Sequence, residues 1–214
     1  MSEKKTLYKL FPEPVFHYKL DNFEQHNKDL LVYIYELYEK DNSGVQRSNV
    51  NGWHSKSFRI ADKNSPAFAF FKETRKYVID VFKIYGWKYE PEKVKMTEMW
   101  AIINRKNNLN TAHTHPNNYL SAAYYVKAPE KCGTIKFINS NSVAKERFPT
   151  LEQKTELNQN AVEISPKEGD LLIFPAYLSH AVNRNLSDED RVVISFNIDT
   201  VSYTHLTLPT IYSV

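Results

Sequence analysis

Three histidines have a spacing that could hold a metal ion. His113 and His115 lie two positions apart in TAHTHPNNYLSAAYYV, and His180 follows an apolar run in EGDLLIFPAYLSHAVNRN. Residues two apart on a strand point to the same side of a sheet, so the first pair could meet one ion. Neutral imidazole binds iron, copper, zinc and nickel. The pattern predicts a transition-metal site, and a surface or packing role for the pair is the alternative.

An arginine at the start of a later strand indicates an anion site. The stretch RVVISFNID alternates between a polar face with Arg191, Val193, Ser195 and Asn197 and an apolar face with Val192, Ile194, Phe196 and Ile198. A buried arginine needs a partner, and its planar guanidinium suits a carboxylate. The alternative is an edge-strand arginine that pairs with an acid at 188–190.

Two more polar side chains fall on the histidine side by the same alternation. Tyr125 could donate its hydroxyl to the anion that Arg191 binds, or it could be a core tyrosine bonded to backbone. Asn104 shares a face with Trp100 and Ile102 at the end of its strand, and it is a further candidate for binding the same anion.

Two helices and a series of strands must position these residues. Apolar residues recur at helical spacing from Leu30 to Tyr38, and a second helix is predicted from Ser65, a cap before Pro66, to Gly86. The stretch 41–57 is predicted as a loop, and KNNLN at 106–110 as a turn. Period-two segments predict strands at 94–104, 119–128, 134–140, 161–166, 170–176 and 191–200. This order predicts a mostly β fold, a sandwich or barrel, with helices packed on one face.

Length and composition favour a single domain in a reducing compartment. The chain has 214 residues, 42% of them hydrophobic and 25% charged, which is enough for a sizeable core. The single cysteine, Cys132, cannot form an internal disulfide, and the chain shows neither a membrane-spanning run nor a signal-peptide core. The formal charge of +3 is modest, so nucleic-acid binding is not expected. We expect a cytoplasmic protein without a membrane partner.

The order of the motifs resembles a known family. Helices precede MWAIINRKNNLNTAHTHPNNYLSAAYYV, GDLLIFPAYLSHAVNRN and RVVISFN, as in the iron(II)/2-oxoglutarate-dependent oxygenases. The resemblance extends over residues 7–199, and it is strongest to a branch frequent in marine phage and bacterial genomes, which carries phrases like LYKLFPEPVF and NGWHSK. It implies a double-stranded β-helix (a jelly roll) with N-terminal helices on one sheet. For a phage-encoded protein it also implies the host cytoplasm.

The resemblance also implies Fe(II) and the co-substrate 2-oxoglutarate. His113 and His180 match two iron ligands, and Arg191 matches the residue that binds the remote carboxylate, supported by Tyr125, Ser195 or Asn104. His115 stands where the family usually has Asp or Glu, so the site is more positive. His115 could be a third iron ligand, which is the interpretation we favour. It could instead stay unbound and leave a coordination position open, as in related halogenating enzymes. In a third interpretation the chain has lost its oxygenase activity.

The implied function couples 2-oxoglutarate decarboxylation to hydroxylation of a protein side chain or a metabolite. The alternatives are a cupin-like three-histidine metalloenzyme that does not use 2-oxoglutarate and a non-catalytic jelly-roll binding module. The loop around Trp53 and His54 would cover the substrate side, or it would be a packed Ω-loop. We assign 1–202 to one oxygenase domain. The tail 203–214 resembles a translated adapter sequence, with an ordinary frayed terminus as the alternative.

Overall fold

The fold consists of two helices and two β-sheets. The structure is a computed structural model that describes residues 6–58, 62–141 and 149–200. The helices are α1 (Phe23–Lys40) and α2 (Pro66–Ile84), and a short 3-10 helix spans Pro91–Lys93. The tail 203–214 lies outside the described residues, so the domain boundary at 202 stays a prediction.

All strand pairs in both sheets are antiparallel. The larger sheet has, in spatial order, β1 (Phe16–Lys19), β9 (Asp170–Pro175), β6 (Leu120–Lys127), β11 (Arg191–Thr200), β4 (Val94–Asn104) and β3 (Trp53–His54). The smaller sheet has β2 (Asn49–Val50), β5 (Leu109–His113), β10 (His180–Val182), β7 (Ile135–Ile138) and β8 (Ala161–Ile164). The mostly β class with two helices is as predicted.

Both helices pack on one face of the larger sheet. The apolar face of β11 is completely buried there, with Ile194 and Phe196 both at 0% exposure. Phe70 of α2 contacts the rings of Tyr124 and Phe196, with centroids 4.7 and 6.0 Å apart. Each large apolar side chain buried here contributes about 1.5–3 kcal/mol relative to an exposed one. This layer confirms the predicted packing of the helices and leaves the other face of β11 free to line a cavity.

The predicted boundaries of α2 are confirmed by local geometry. The Ser65 hydroxyl accepts a hydrogen bond from the backbone N–H of Phe68 at 3.2 Å, and Pro66 occupies the first helical turn. Gly86 has φ +66°, which suits a chain that turns away from a helix end. Among the described residues, neither helix is long and apolar enough to cross a lipid bilayer.

Two of the predicted irregular segments were wrong in part. The predicted loop 41–57 contains β2 and β3, and the predicted turn 106–110 overlaps the start of β5. The prediction failed because a strand of two residues is too short to show periodicity, and its conformation is set by partners distant in sequence. Asn49 shows this, since it is 3% exposed and its side chain donates to the Gly52 carbonyl at 2.7 Å.

Candidate metal centre and co-substrate cavity

Strand pairing brings the three predicted histidines together. His113 at the end of β5 lies directly opposite His180 at the start of β10, with ring centroids 4.3 Å apart. His115 lies beyond β5, where its backbone N–H donates to the Ala176 carbonyl at 2.9 Å. One ring nitrogen from each histidine lies within 4.8 Å of those of the others. The chain turn after β5, rather than the strand alternation used in the prediction, therefore completes the cluster.

Backbone carbonyls fix the tautomer of two of these rings. Nδ1 of His113 donates to the Thr111 carbonyl at 2.7 Å, and Nδ1 of His180 donates to the Leu178 carbonyl at 2.9 Å. A carbonyl oxygen can only accept, so Nδ1 carries the proton and Nε2 carries the lone pair. Histidine ligands in proteins are commonly oriented in this way.

Burial keeps the cluster neutral. It lowers the pKa of His115 to about 3, with further lowering by His180, His113 and His54, and it lowers the pKa of His180 to about 4, helped by His113. The pKa of His113 is also lowered by burial. At neutral pH all three rings are therefore unprotonated, which is the form that binds a metal.

The donor set fits a transition-metal ion. Three neutral nitrogen donors converge, and imidazole is a suitable ligand for iron. No carboxylate joins the cluster within the described part of the chain. An ion held here would keep its full positive charge, which favours an anionic co-ligand.

The cluster opens into a cavity of about 560 Å³. Its walls include every predicted site residue: His113, His115, His180, Arg191, Tyr125, Ser195 and Asn104. β11 pairs with both β4 and β6, so Arg191 lies opposite Asn104 and Ser195 lies opposite Ala123. The polar face predicted for β11 is therefore a cavity wall.

Arg191 is the most unusual side chain in this wall. It is 0% exposed, and its Nη1 donates to the carbonyls of Cys132 and, at 3.1 Å, Asn183. Its Nε and Nη2 have no hydrogen-bond partner among the described residues. Burial accordingly lowers the pKa of this guanidinium. Two free donors on a buried cation are suited to binding both oxygens of a carboxylate.

The alternative of an edge-strand ion pair for Arg191 is wrong. Each neighbouring acid has another partner: Asp188 pairs with Lys106 at 2.6 Å, Glu189 pairs with Lys127 at 3.0 Å, and Asp190 accepts from Tyr35 at 2.9 Å. The guanidinium points away from these surface contacts because it belongs to the buried cavity face of β11.

Tyr125 lies in the same wall and remains a hydrogen-bond donor. It is 1% exposed, and burial raises the pKa of its phenol, while the charge of Arg191 opposes that shift. The hydroxyl therefore stays protonated at neutral pH. Ser195 is half-buried beside it on β11 and adds a second hydroxyl to this part of the wall.

Asn104 is connected to the metal centre by a chain of hydrogen bonds. Its Nδ2 donates to Oδ1 of Asn110 at 2.8 Å, and Nδ2 of Asn110 donates to Oγ of Ser48 at 3.3 Å. Ser48 Oγ lies 3.4 Å from Nε2 of His113, and because that nitrogen is unprotonated the hydroxyl is the donor. Sequence reasoning missed Ser48 and Asn110, since neither belongs to a periodic pattern.

An aromatic stack on β3 and β4 also lines the cavity. The rings of His54 and Trp100 are stacked at 5.5 Å with 9° between their planes, and Trp100 also contacts His115 at 5.6 Å. Nδ1 of His54 donates to the Ser55 carbonyl at 2.7 Å. Trp53 belongs instead to the core under the helices. Of the two residues predicted to cover the site, His54 lines it and Trp53 does not.

A family model described as "Putative 2OG-Fe(II) oxygenase" matches residues 98–197. This segment, a little under half of the chain, is similar to the 2OG-Fe(II) oxygenase family. The match includes all three histidines and ends on β11, beyond Arg191. The predicted resemblance is confirmed, and the family's description names 2-oxoglutarate and iron(II).

Solved structures confirm the jelly-roll fold. A prolyl-4-hydroxylase from Pseudomonas putida has a TM-score of 0.62 at 7% identity, covering 89% of this chain and 94% of that one. HygX from Streptomyces hygroscopicus, with nickel and 2-oxoglutarate bound, has a TM-score of 0.59 at 14% identity, covering 88% of this chain and 84% of that one. The carbocyclase SnoK from nogalamycin biosynthesis has a TM-score of 0.61 at 12% identity, covering 87% of this chain and 79% of that one.

A hydroxylase and a carbocyclase are both among these structures, so the likeness establishes the fold of this chain and leaves its reaction open. A comparison with curated proteins gave no match.

Proposed function

We propose that this protein is an iron(II)/2-oxoglutarate-dependent hydroxylase, with His113, His115 and His180 as the iron ligands and Arg191 as the anchor for the co-substrate. One observation carries this proposal. A buried guanidinium with two unpaired donors lines the same cavity as three neutral imidazoles. A cation with free donors and a neutral nitrogen cluster are complementary to a dicarboxylate and a metal, respectively.

The residues have separate tasks in this proposal. Nε and Nη2 of Arg191 would donate to the remote carboxylate of 2-oxoglutarate, and the hydroxyls of Tyr125 and Ser195 would donate to the same group. When bound, iron and 2-oxoglutarate would supply the oxidising chemistry together with dioxygen: one oxygen atom would enter succinate as carbon dioxide leaves, and the other would enter the substrate as a hydroxyl group. The buried walls of β6 and β11 exclude water from that end of the cavity.

The position of His115 supports its role as a third ligand. Its ring lies 5.0 Å from that of His113 and 5.2 Å from that of His180, and it is neutral. Asn104 would act indirectly, since its amide nitrogen is engaged by Asn110, which donates to Ser48. Bound iron would replace the Ser48 hydroxyl at the Nε2 lone pair of His113, so this chain of hydrogen bonds would hold Ser48 beside that ligand. We assign Asn104 a positioning role.

The two alternative functions do not account for Arg191. A three-histidine enzyme that does not use 2-oxoglutarate would leave the guanidinium buried with two unpaired donors, at a cost of about 1–3 kcal/mol for each unsatisfied group. A non-catalytic module would in addition have no need for three converging neutral imidazoles.

The test is an anaerobic titration of the iron(II)-loaded protein with 2-oxoglutarate, followed by a succinate-release assay in air. We expect a visible charge-transfer band on titration and succinate in the assay. His180→Ala should weaken metal binding more than about 100-fold, since loss of a partner that merely orients a ligand costs about 10–100-fold. His26→Ala, half-buried on α1 and outside the cavity lining, is the matched control and should bind metal normally.

Metal binding without a band or succinate would favour the three-histidine enzyme that does not use 2-oxoglutarate. Failure to bind metal at all would favour the non-catalytic module. Equal metal affinity for wild type and His180→Ala would remove the assigned ligand set.

A further inference from the structure

We propose that the part of the cavity lined by Arg47, Glu98, His54 and Trp100 binds a small zwitterionic substrate of the α-amino-acid class, with its carboxylate at Arg47 and its ammonium group at Glu98. This inference rests on the proposed function, because it concerns the substrate of that same site. It adds the chemical identity of a ligand that the family and fold leave open.

The cavity has space for a second small molecule. Its lining includes Arg191, the three histidines, and residues of the segment 45–57 and of the first half of β4; we call the residues of these last two segments the mouth. A total volume of about 560 Å³ is within the usual range for a site that encloses a ligand of drug size. With 2-oxoglutarate at Arg191, the remaining volume suits a compact metabolite.

Most polar side chains of the mouth already have partners. Ser55 Oγ accepts from the Ala101 N–H at 2.9 Å and donates to the Lys56 carbonyl, and Ser57 Oγ accepts from the Met99 N–H at 3.3 Å. The Lys56 ammonium pairs with Asp41 at 2.8 Å. These groups are satisfied by the protein and are poor candidates for recognising a ligand.

Two charges of opposite sign are left over. Arg47 and Glu98 both line the mouth and are exposed, and within the described ranges neither side chain forms an ion pair. Burial lowers the pKa of the His54 imidazole, and the charge of Arg47 lowers it further. One unpaired cation and one unpaired anion at the mouth of one cavity are complementary to a ligand that carries both charges.

The same cavity lining offers one buried donor and one acceptor. Trp100 is 7% exposed, and its indole N–H has no partner among the described residues. His54 donates through Nδ1 to Ser55, so its Nε2 is an acceptor. An amino acid supplies a carboxylate oxygen that can accept from Trp100 and an ammonium hydrogen that can be donated to His54. A buried donor without a partner is destabilising, and such a ligand would satisfy it.

Other substrate classes fit this mouth less well. A side chain within a protein presents neutral backbone amides and has no use for a paired cation and anion. A nucleic acid would place phosphate near the unpaired carboxylate of Glu98, which is unfavourable.

The experiment measures binding to the full-length protein loaded with nickel(II) and 2-oxoglutarate, so that no turnover occurs. Each of the common L-α-amino acids is titrated by calorimetry, alongside its N-acetyl and carboxamide derivatives. We expect at least one amino acid to bind and each blocked form to bind about 10–100-fold more weakly, as for loss of one hydrogen bond to a charged group.

Variants assign each charge to its residue. Arg47→Met should abolish the preference for the free carboxylate over the carboxamide. Glu98→Gln should abolish the preference for the free ammonium group over the N-acetyl form. Lys56→Met, whose ammonium is already paired with Asp41, is the matched control and should retain both preferences.

The 2-oxoglutarate titration that precedes these measurements separates the two proposals. If 2-oxoglutarate does not bind, the proposed function fails. If it binds and no amino acid does, or if blocked and free forms bind equally, the zwitterion proposal is overturned and the proposed function stands. Unchanged preferences in Arg47→Met and Glu98→Gln would also overturn it.

Discussion

The two faces of β11 differ in how their side chains are satisfied. Ile194 and Phe196 on the helix side are at 0% exposure and contact only other core residues. On the cavity side Arg191 is equally buried, yet two of its donors have no partner among the described residues. Alternate residues of one strand therefore serve different purposes. One set stabilises the fold by itself, and the other set is completed only by a ligand.

The largest effect is expected for Arg191→Met on 2-oxoglutarate binding. Removing one partner of a buried charge pair typically costs about 3–5 kcal/mol, so the dissociation constant should rise more than about 100-fold. Anaerobic titration of the iron(II) protein measures it.

Arg105→Met is the control for Arg191→Met, because that arginine is on the surface with its side chain 56% exposed. Its affinity for 2-oxoglutarate should stay near that of the wild type. Equal affinities in both variants would mean that the cavity face of β11 does not need a ligand.

Ile194→Ala tests the opposite face. Loss of a fully buried isoleucine should lower the free energy of unfolding by about 2–5 kcal/mol, measured by urea denaturation. Affinity for 2-oxoglutarate at temperatures where the variant is folded should change little. A loss of affinity as large as that of Arg191→Met would show that the two faces are not separable.

A smaller effect is expected from crowding Arg191 from outside the strand. A Cβ at Gly133, which has φ +87°, would lie 2.5 Å from the Asn183 carbonyl oxygen and 2.8 Å from Nη1 of Arg191. Gly133→Ala should therefore lower stability by about 2–4 kcal/mol, since left-handed strain and overpacking both contribute. It should also weaken 2-oxoglutarate binding.

Gly86→Ala is the matched variant for Gly133→Ala, because Gly86 has φ +66° and nothing within 4 Å of the added Cβ. It should cost only about 1–2 kcal/mol, from the backbone alone, and leave 2-oxoglutarate affinity intact. Thermal unfolding of the two variants in parallel compares them, and equal losses would mean that the packing around Arg191 is adaptable.

The smallest effect is expected for Tyr125→Phe, which removes one hydroxyl from the cavity and preserves the ring. Loss of a single hydrogen bond is worth about 0.5–1.5 kcal/mol, so 2-oxoglutarate affinity should fall about 2–10-fold. Unchanged affinity in the same titration would restrict the anchor to Arg191 and Ser195.

The sequence was sufficient to predict the long regular elements. The strand predicted at 191–200 is β11 with the same limits, and the assignment of its two faces holds at Arg191 and at Ile194. Period-two alternation over ten residues leaves one possible division between the faces. The convergence of the three histidines was also predicted, because the motif order resembles a family of known fold.

The short elements and the polar connections could not be predicted. β2 and β3 have two residues each, too few for any periodicity, and they form because β5 and β4 present free edges. The link from Asn110 through Ser48 to His113 joins residues that are far apart in the sequence. Such contacts depend on the folded register, which local pattern does not encode.

The direct pairing of His113 with His180 has a mechanical consequence. A cation bound by both rings would cross-link β5 and β10, which are otherwise joined by strand pairing. Filling the centre should slow amide hydrogen exchange along β5 and β10 together, because a ligand that binds only the folded state favours it. Iron supply would then govern how long the molecule survives proteolysis, in addition to whether it can react.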